Sequence, residues 1–251
     1  MTAKAIRIGQ IVPSSNTTME TEIPQILRLR EMVEPERFTF HSSRMRMKKV
    51  TKSELEAMDK DSDRCVLELS DASMDVIGYA CLVAIMSMGK GYHSVSEKRL
   101  EKVTAENDHS APVVTSAGAL IHGLQTLNAR KIAVIAPYMR PLTELVIDYI
   151  QDQGVEVIDS ISLEIPDNLE VGRQNPMALC KIVQDLKIDG ADAVVLSACV
   201  QMPSFPAIRE VENSIQLPVV SAAVCTAFQM LQKLNLKTFV PGGGMLLSGK
   251  Y

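Results

Sequence analysis

Apolar residues in this chain gather in short unbroken runs instead of alternating with polar ones. Runs of four to seven residues, rich in Val and Ile, recur within residues 6–13, 75–81, 112–117, 130–137, 192–199 and 218–223. A run of that length without two-residue polarity predicts a strand buried on both faces, as in a parallel sheet covered by helices. The segments between them read as helices. Ser53 with Glu56 and Ser94 with Glu97 are Ser-x-x-Glu pairs that predict helix starts near 54 and 95. Pro141 suits a first helical turn, and Gly154 a stop after a helix running through Ile150.

The runs also match one another in order. Residues 6–13, ending in Pro13, resemble 130–137, ending in Pro137; residues 75–81 resemble 192–199, both ending in Ala-Cys; residues 112–117 resemble 218–223, each leading into a helix. Self-similarity in a fixed order predicts two related halves. The expected fold is therefore α/β, with two pseudo-symmetric, doubly wound, Rossmann-like parallel sheets. We place the first half at residues 1–115 plus 222–251 and the second at 116–221, with a cleft between them. Ligands of such folds bind at the carboxyl edge of the strands. Cys81 and Cys199 both fall at that edge. A lone free cysteine is usually a small buried hydrophobe, but equivalent placement in both copies turns these two into candidate site residues.

With 251 residues, 46% hydrophobic and 22% charged, the chain is long enough to bury a large core and is not disordered in composition. A formal charge of −4 gives no broad basic field, so nucleic acid and anionic membranes are poor partners. One basic cluster, Arg44, Arg46, Lys48, Lys49 and Lys52, reads as a solvated loop or helix entrance. No apolar stretch has the length of a membrane span, and the start lacks a signal-peptide core, which leads us to expect a cytoplasmic protein. The five cysteines form no C-x-x-C pair and do not combine with the four histidines at zinc spacing, so no metal is expected and the thiols should be free.

Several familiar motifs fail on context. Residues 244–250 fit G-x-x-x-x-G-K, yet no Ser or Thr follows the lysine and Tyr251 comes next. After the first strand stands Pro-Ser-Ser-Asn-Thr-Thr instead of a dinucleotide fingerprint, and no G-x-S-x-G elbow occurs. His93 and His122 read as ordinary helix-end or surface residues, and Arg173 as a surface residue.

Residues 13–20 (PSSNTTME), 79–83 (YACLV), 137–138 (PY), 167–168 (DN) and 197–201 (SACVQ) together closely resemble the maleate cis-trans isomerase family of the aspartate/glutamate racemase superfamily, and the resemblance runs over effectively the whole chain. Racemases of the superfamily follow the first cysteine with Asn-Thr and the second with Thr and an acidic residue or histidine. Here Leu82-Val83 and Val200-Gln201 replace them, removing any obvious partner for an ammonium group. Arylmalonate decarboxylases share the first loop but keep only the second cysteine. The resemblance implies a cofactor-independent isomerase acting on a small dicarboxylate (maleate to fumarate), with Cys81 as nucleophile through an S-succinyl adduct and Cys199 as proton donor. It further implies carboxylate binding by Asn16, Tyr138 and Asn168 and by backbone N–H groups around Leu82, Val83, Val200 and Gln201, and a homodimer. Breakdown of nicotinate-type aromatics is a common source of maleate in the family's setting.

The chemistry accounts for the two thiols. Rotation about a C=C bond requires that it become temporarily single, and a thiolate adding to one carbon achieves this through a covalent intermediate. With a reference pKa of about 8.5, Cys81 would need its value lowered, for which helix N-termini are the expected source. A cover is also expected, to keep solvent protons from the intermediate; residues 86–92, with two glycines and an aromatic, are the candidate. The rival readings are a racemase or arylmalonate-type decarboxylase acting on a related acid, and a binding domain for a small dicarboxylate without turnover.

Overall fold

The computed structural model describes residues 5–251. Its first half runs β1 (Ile6–Pro13), α1 (Met19–Glu31), β2 (Phe38–Met45), α2 (Lys52–Asp71), β3 (Val76–Tyr79), α3 (Leu82–Ser87), α4 (Tyr92–Glu106), β4 (Val113–Thr115) and α5 (Ser116–Thr126). The second runs β5 (Lys131–Ala136), α6 (Arg140–Asp152), β6 (Glu156–Ser162), α7 (Asn168–Gly172), α8 (Leu179–Ile182), β7 (Ala193–Ser197), α9 (Phe205–Ile215), β8 (Val219–Ser221) and α10 (Ala222–Lys233). Two four-stranded sheets result, ordered β2-β1-β3-β4 and β6-β5-β7-β8, with every neighbouring pair parallel. The sequence repeat thus becomes a structural one: β1 corresponds to β5, β3 to β7 and β4 to β8.

Burial explains which strands carry apolar runs. Every residue of β3, β4, β7 and β8 is buried, whereas the edge strands β2 and β6 hold half-buried or exposed positions. Each Val or Ile taken fully from water contributes roughly 1.5–3 kcal/mol, so the buried strands hold the sheets, β4 and β8 at one edge included, and the opposite edges, β2 and β6, tolerate His, Ser, Asp and Arg. In both sheets the order reverses between the first and third strands, and a crevice opens there at the carboxyl ends.

The two halves are fastened together. After β8 the chain returns, and α10 packs on α1, α5, β3 and β4 of the first sheet. Gly78 permits that approach: a Cβ there would lie 2.0 Å from the Met230 Cε. Buried Arg30 donates to the Phe239 carbonyl at 2.9 Å and pairs with Glu36 at 2.9 Å, pinning the C-terminal segment to α1. Buried Glu22 of α1 accepts from the Ser204 and Phe205 N–H groups at 2.7 and 2.6 Å, satisfying orphan donors at the start of α9. Burial raises the Glu22 pKa, and those donors oppose the rise.

Both Ser-x-x-Glu expectations shift. Thr51, not Ser53, caps α2 by accepting from the Glu54 N–H, and the Glu54 carboxylate turns back to the Lys48 and Lys49 N–H groups at 2.6 and 2.9 Å. Gly91, with φ of 66°, starts α4 ahead of Ser94. Glu97 instead accepts from the Thr115 N–H and hydroxyl at 3.0 and 2.8 Å, fastening the β4–α5 turn. Pro141 does lie in the first turn of α6, and Gly154, with φ of 82°, follows its end. Among the described residues no helix is long and apolar enough to cross a membrane.

Candidate active site

Both Ala-Cys pairs leave their strands at the carboxyl edge. After β3, Cys81 turns at φ 95° and ψ 73°, a left-handed conformation for a non-glycine residue, and α3 begins at once. Holding such a backbone costs on the order of 1–3 kcal/mol, a strain found mostly where function requires a particular side-chain direction. After β7, the Ser197 hydroxyl donates to the Cys199 carbonyl at 2.9 Å and fixes the matching turn.

One chamber lies between the halves. Cys81, Leu82 and Val83 line it from the first, and Cys199, Val200 and Gln201 from the second. Asn16, Tyr138 and Asn168 complete the wall, so the geometry brings all nine expected residues to one cavity. It also adds Pro13, Met47 and Val50. Pro13 stood in the motif of the first loop, but nothing in the sequence marked Met47 or Val50, which enter from the segment between β2 and α2. The chamber is small, about 20 Å³, near the space one water needs. Outside it opens a vestibule of about 990 Å³ bordered by Lys48, Lys49, Met139, Leu142 and Leu169, with Val50, Tyr138 and Asn168 bordering both spaces. Residues 86–92, the expected cover, border neither space; Gly89 and Gly91 serve the turn between α3 and α4.

The polar groups have distinct tasks. The Asn16 Oδ1 accepts from the Met19 N–H at 3.0 Å, satisfying an orphan donor at the start of α1 and leaving its Nδ2 as the group available to the chamber. Asn168 donates through Nδ2 to the Ser15 hydroxyl at 2.8 Å, tying the α7 start to the first loop. Tyr138 donates to the Ala198 carbonyl at 3.1 Å, and its hydroxyl also reaches the Cys199 sulfur. Gln201 bonds through its side-chain amide to the loops around the chamber. His93 pairs with Tyr149 at 2.5 Å, His122 with Gln232 at 2.6 Å, and Arg173 with Glu170 on the surface; none lines the chamber.

No Lys, Arg, His, Asp or Glu of the described residues lines the chamber, so burial sets the thiol chemistry. Burial pushes the Cys81 thiol up to about 12; only the Ala84 N–H opposes it, and the nearby Cys199 adds to the rise. The expected lowering by a helix N-terminus is therefore overruled in the free protein, because one backbone donor does not offset loss of water. Cys199 is raised by burial too, but the Tyr138 hydroxyl and the Gln201 and Met202 N–H groups support its thiolate. Labelling of Cys81 by iodoacetamide, followed by peptide mass spectrometry, is thus expected to quicken about tenfold per pH unit between about pH 7 and 9 without levelling. Levelling below about pH 8 would reveal a thiolate already formed at rest.

Comparison with known proteins places this arrangement. The family model described as arylmalonate decarboxylase matches residues 8–247. A maleate isomerase of Geobacillus stearothermophilus is 65% identical, over 99% of this chain and 100% of that one. The crystal structure of a cysteine-to-alanine variant of maleate isomerase from Pseudomonas putida, with maleate, superposes at a TM-score of 0.97 with 62% identity, covering 99% of both chains. A cysteine-to-serine variant of Nocardia farcinica maleate cis-trans isomerase, holding a covalently bound succinylcysteine intermediate, superposes at 0.94 with 42% identity, over 99% of this chain and 100% of that one. At such identity over nearly the full length, this chain belongs to the maleate isomerases, enzymes of the aspartate/glutamate racemase fold.

Proposed function

We propose that this chain isomerises maleate to fumarate by thiol chemistry alone, with Cys81 as nucleophile and Cys199 as proton carrier. The observation that carries the reading is the chamber itself: two strand-end thiols, one from each half, share a small uncharged space ringed by amide and hydroxyl donors. The maleate held by the Pseudomonas relative and the succinylcysteine of the Nocardia relative support it. As folding units, in contrast to the two halves in chain order, the one carrying Cys81 comprises residues 1–115 and 222–251 and the one carrying Cys199 residues 116–221. Each supplies donors for one carboxylate, so the bond between the two carboxylate-bearing carbons lies across the junction of the halves.

The proton inventory follows from the sulfur environments. The reactive form of the pair carries one proton, and with the Gln201 and Met202 N–H groups facing Cys199 and one N–H facing Cys81 that proton sits on Cys81; burial, which raises both thiols, makes this the minor form at neutral pH. As substrate enters, the Cys199 thiolate takes that proton and Cys81 becomes the nucleophile. The Cys81 sulfur bonds to one alkene carbon while the π pair moves to the other, which takes the proton from Cys199. Rotation about the resulting single bond brings the carboxylates to opposite sides. The Cys199 thiolate then removes the same kind of proton, the π pair reforms, and the carbon–sulfur bond breaks to release fumarate. No redox change or added reactant is needed.

A space of about 20 Å³ does not admit a four-carbon diacid, so a wall must yield, and Val50, which borders both spaces on the segment that also carries Met47, forms part of the wall joined to the vestibule. The reaction is followed by incubating the protein with maleate and recording the loss of the cis-alkene absorbance with the appearance of fumarate. Conversion is the expected result; maleate left unchanged, or consumed with release of carbon dioxide, would overturn the reading. The family resemblance further leads us to propose a homodimer acting in the cytoplasm.

A further inference from the structure

Gln201 is buried at the point where three segments of the chamber meet. Its Oε1 accepts from the Thr17 and Thr18 N–H groups at 3.1 and 3.3 Å, and its Nε2 donates to the Ser15 and Asn168 carbonyls at 3.1 and 2.9 Å. The Thr18 hydroxyl donates to its backbone carbonyl at 2.7 Å, and its own N–H faces the Cys199 sulfur. Donor and acceptor capacity of the side-chain amide is thereby spent inside the protein. The backbone on both sides of Asn16 is gripped by one amide, and so is the backbone of Asn168 in the other half. Gly172 keeps the space this amide occupies: a Cβ there would lie 2.6 Å from the Gln201 Nε2, and the other near atoms are also of the Gln201 amide.

We infer that Gln201 is a positioning residue, a strap that sets the distance between the Asn16 and Asn168 loops and so matches the two carboxylate sites to one diacid. This inference rests on the proposed isomerase reading, and it adds a side-chain role to the expected part of the backbone N–H groups around Gln201 in holding a carboxylate. Only a primary amide fills the place. Both backbone N–H groups need an acceptor and both carbonyls need a donor; an ionised Glu fails the donor side, and Leu or Met fails both.

Gln201→Glu tests it at nearly constant volume. The carboxylate keeps the Thr17 and Thr18 contacts but sets an oxygen against the Ser15 and Asn168 carbonyls, which should force the loops apart. The expected result is a maleate KM raised at least about tenfold at pH near 8, with kcat changed less and Cys81 labelling within about twofold of wild type. As the pH falls toward about 5.5 the buried carboxyl gains a proton and one donor, so the KM defect should shrink relative to wild type. A purely structural role would lower Tm without that pH-dependent KM. Wild-type KM in the variant, or a loss confined to kcat, overturns the strap. Should Gln201→Glu fail to fold, Gly172→Ala decides, since it presses on the amide from outside: a raised KM supports the strap and unchanged kinetics overturn it. Wild-type protein assayed alongside separates the two ideas, because absent turnover there counts against the isomerase reading, and turnover with unaltered variants counts against the strap alone.

Discussion

Cys81→Ser is expected to abolish conversion of maleate, lowering kcat/KM by on the order of 10⁴-fold or more, as loss of a covalent nucleophile does. Serine fits the space and keeps the turn, so the comparison isolates sulfur from oxygen. A serine hydroxyl is too weak an acid to pass its proton to the Cys199 thiolate, and the chamber lining offers no stronger base, whereas the Cys81 thiol can make that transfer. The fumarate assay, run beside a thermal melt to check folding, reads the outcome. Wild-type-like turnover would place the nucleophile elsewhere.

Cys199→Ser is expected to stall the reaction after addition. Without the Cys199 thiolate Cys81 gives its proton to solvent and adds more slowly. A serine hydroxyl can still donate a proton to the developing carbanion but is a poor base for taking it back, so elimination should slow further, by about 10²–10⁴-fold, the usual worth of a positioned acid or base. Intact mass after mixing with maleate should rise by the mass of one maleic acid, and peptide mapping should locate the addition on Cys81. The same treatment of wild type should leave little adduct. Finding the addition on Cys65, Cys180 or Cys225 would break the assignment of roles, and full turnover would remove Cys199 from the chemistry.

The inner strands and the cysteine pair were legible in the sequence because burial on both faces demands uninterrupted Val and Ile, and because the duplication printed each feature twice. The half-exposed edge strands were not. In β2 and β6, exposed positions admit His, Ser, Arg and Asp, and the apolar run that marks a parallel strand disappears. Asn16, Tyr138 and Asn168 came from motif resemblance, and all three border the chamber. Met47 and Val50 carried no signal, since an apolar residue in a loop looks the same whether it walls a cavity or lies on a surface. The placement of the Ser-x-x-Glu pairs failed for a related reason: Glu97 has a better partner in Thr115, far along the chain, than at its own helix start. The raised thiol pKa likewise reflects burial by distant segments, which no local pattern records.

The return of α10 to the first sheet bears on how the molecule is made. Until residue 233 has been synthesised, β3 and β4 lack the layer that covers one of their faces. The second sheet meets α10 chiefly through β8, so most of its packing is available before that helix is made and it should approach its native state first. Late closure of the N-terminal sheet is then the step at which both sulfurs first share one compartment.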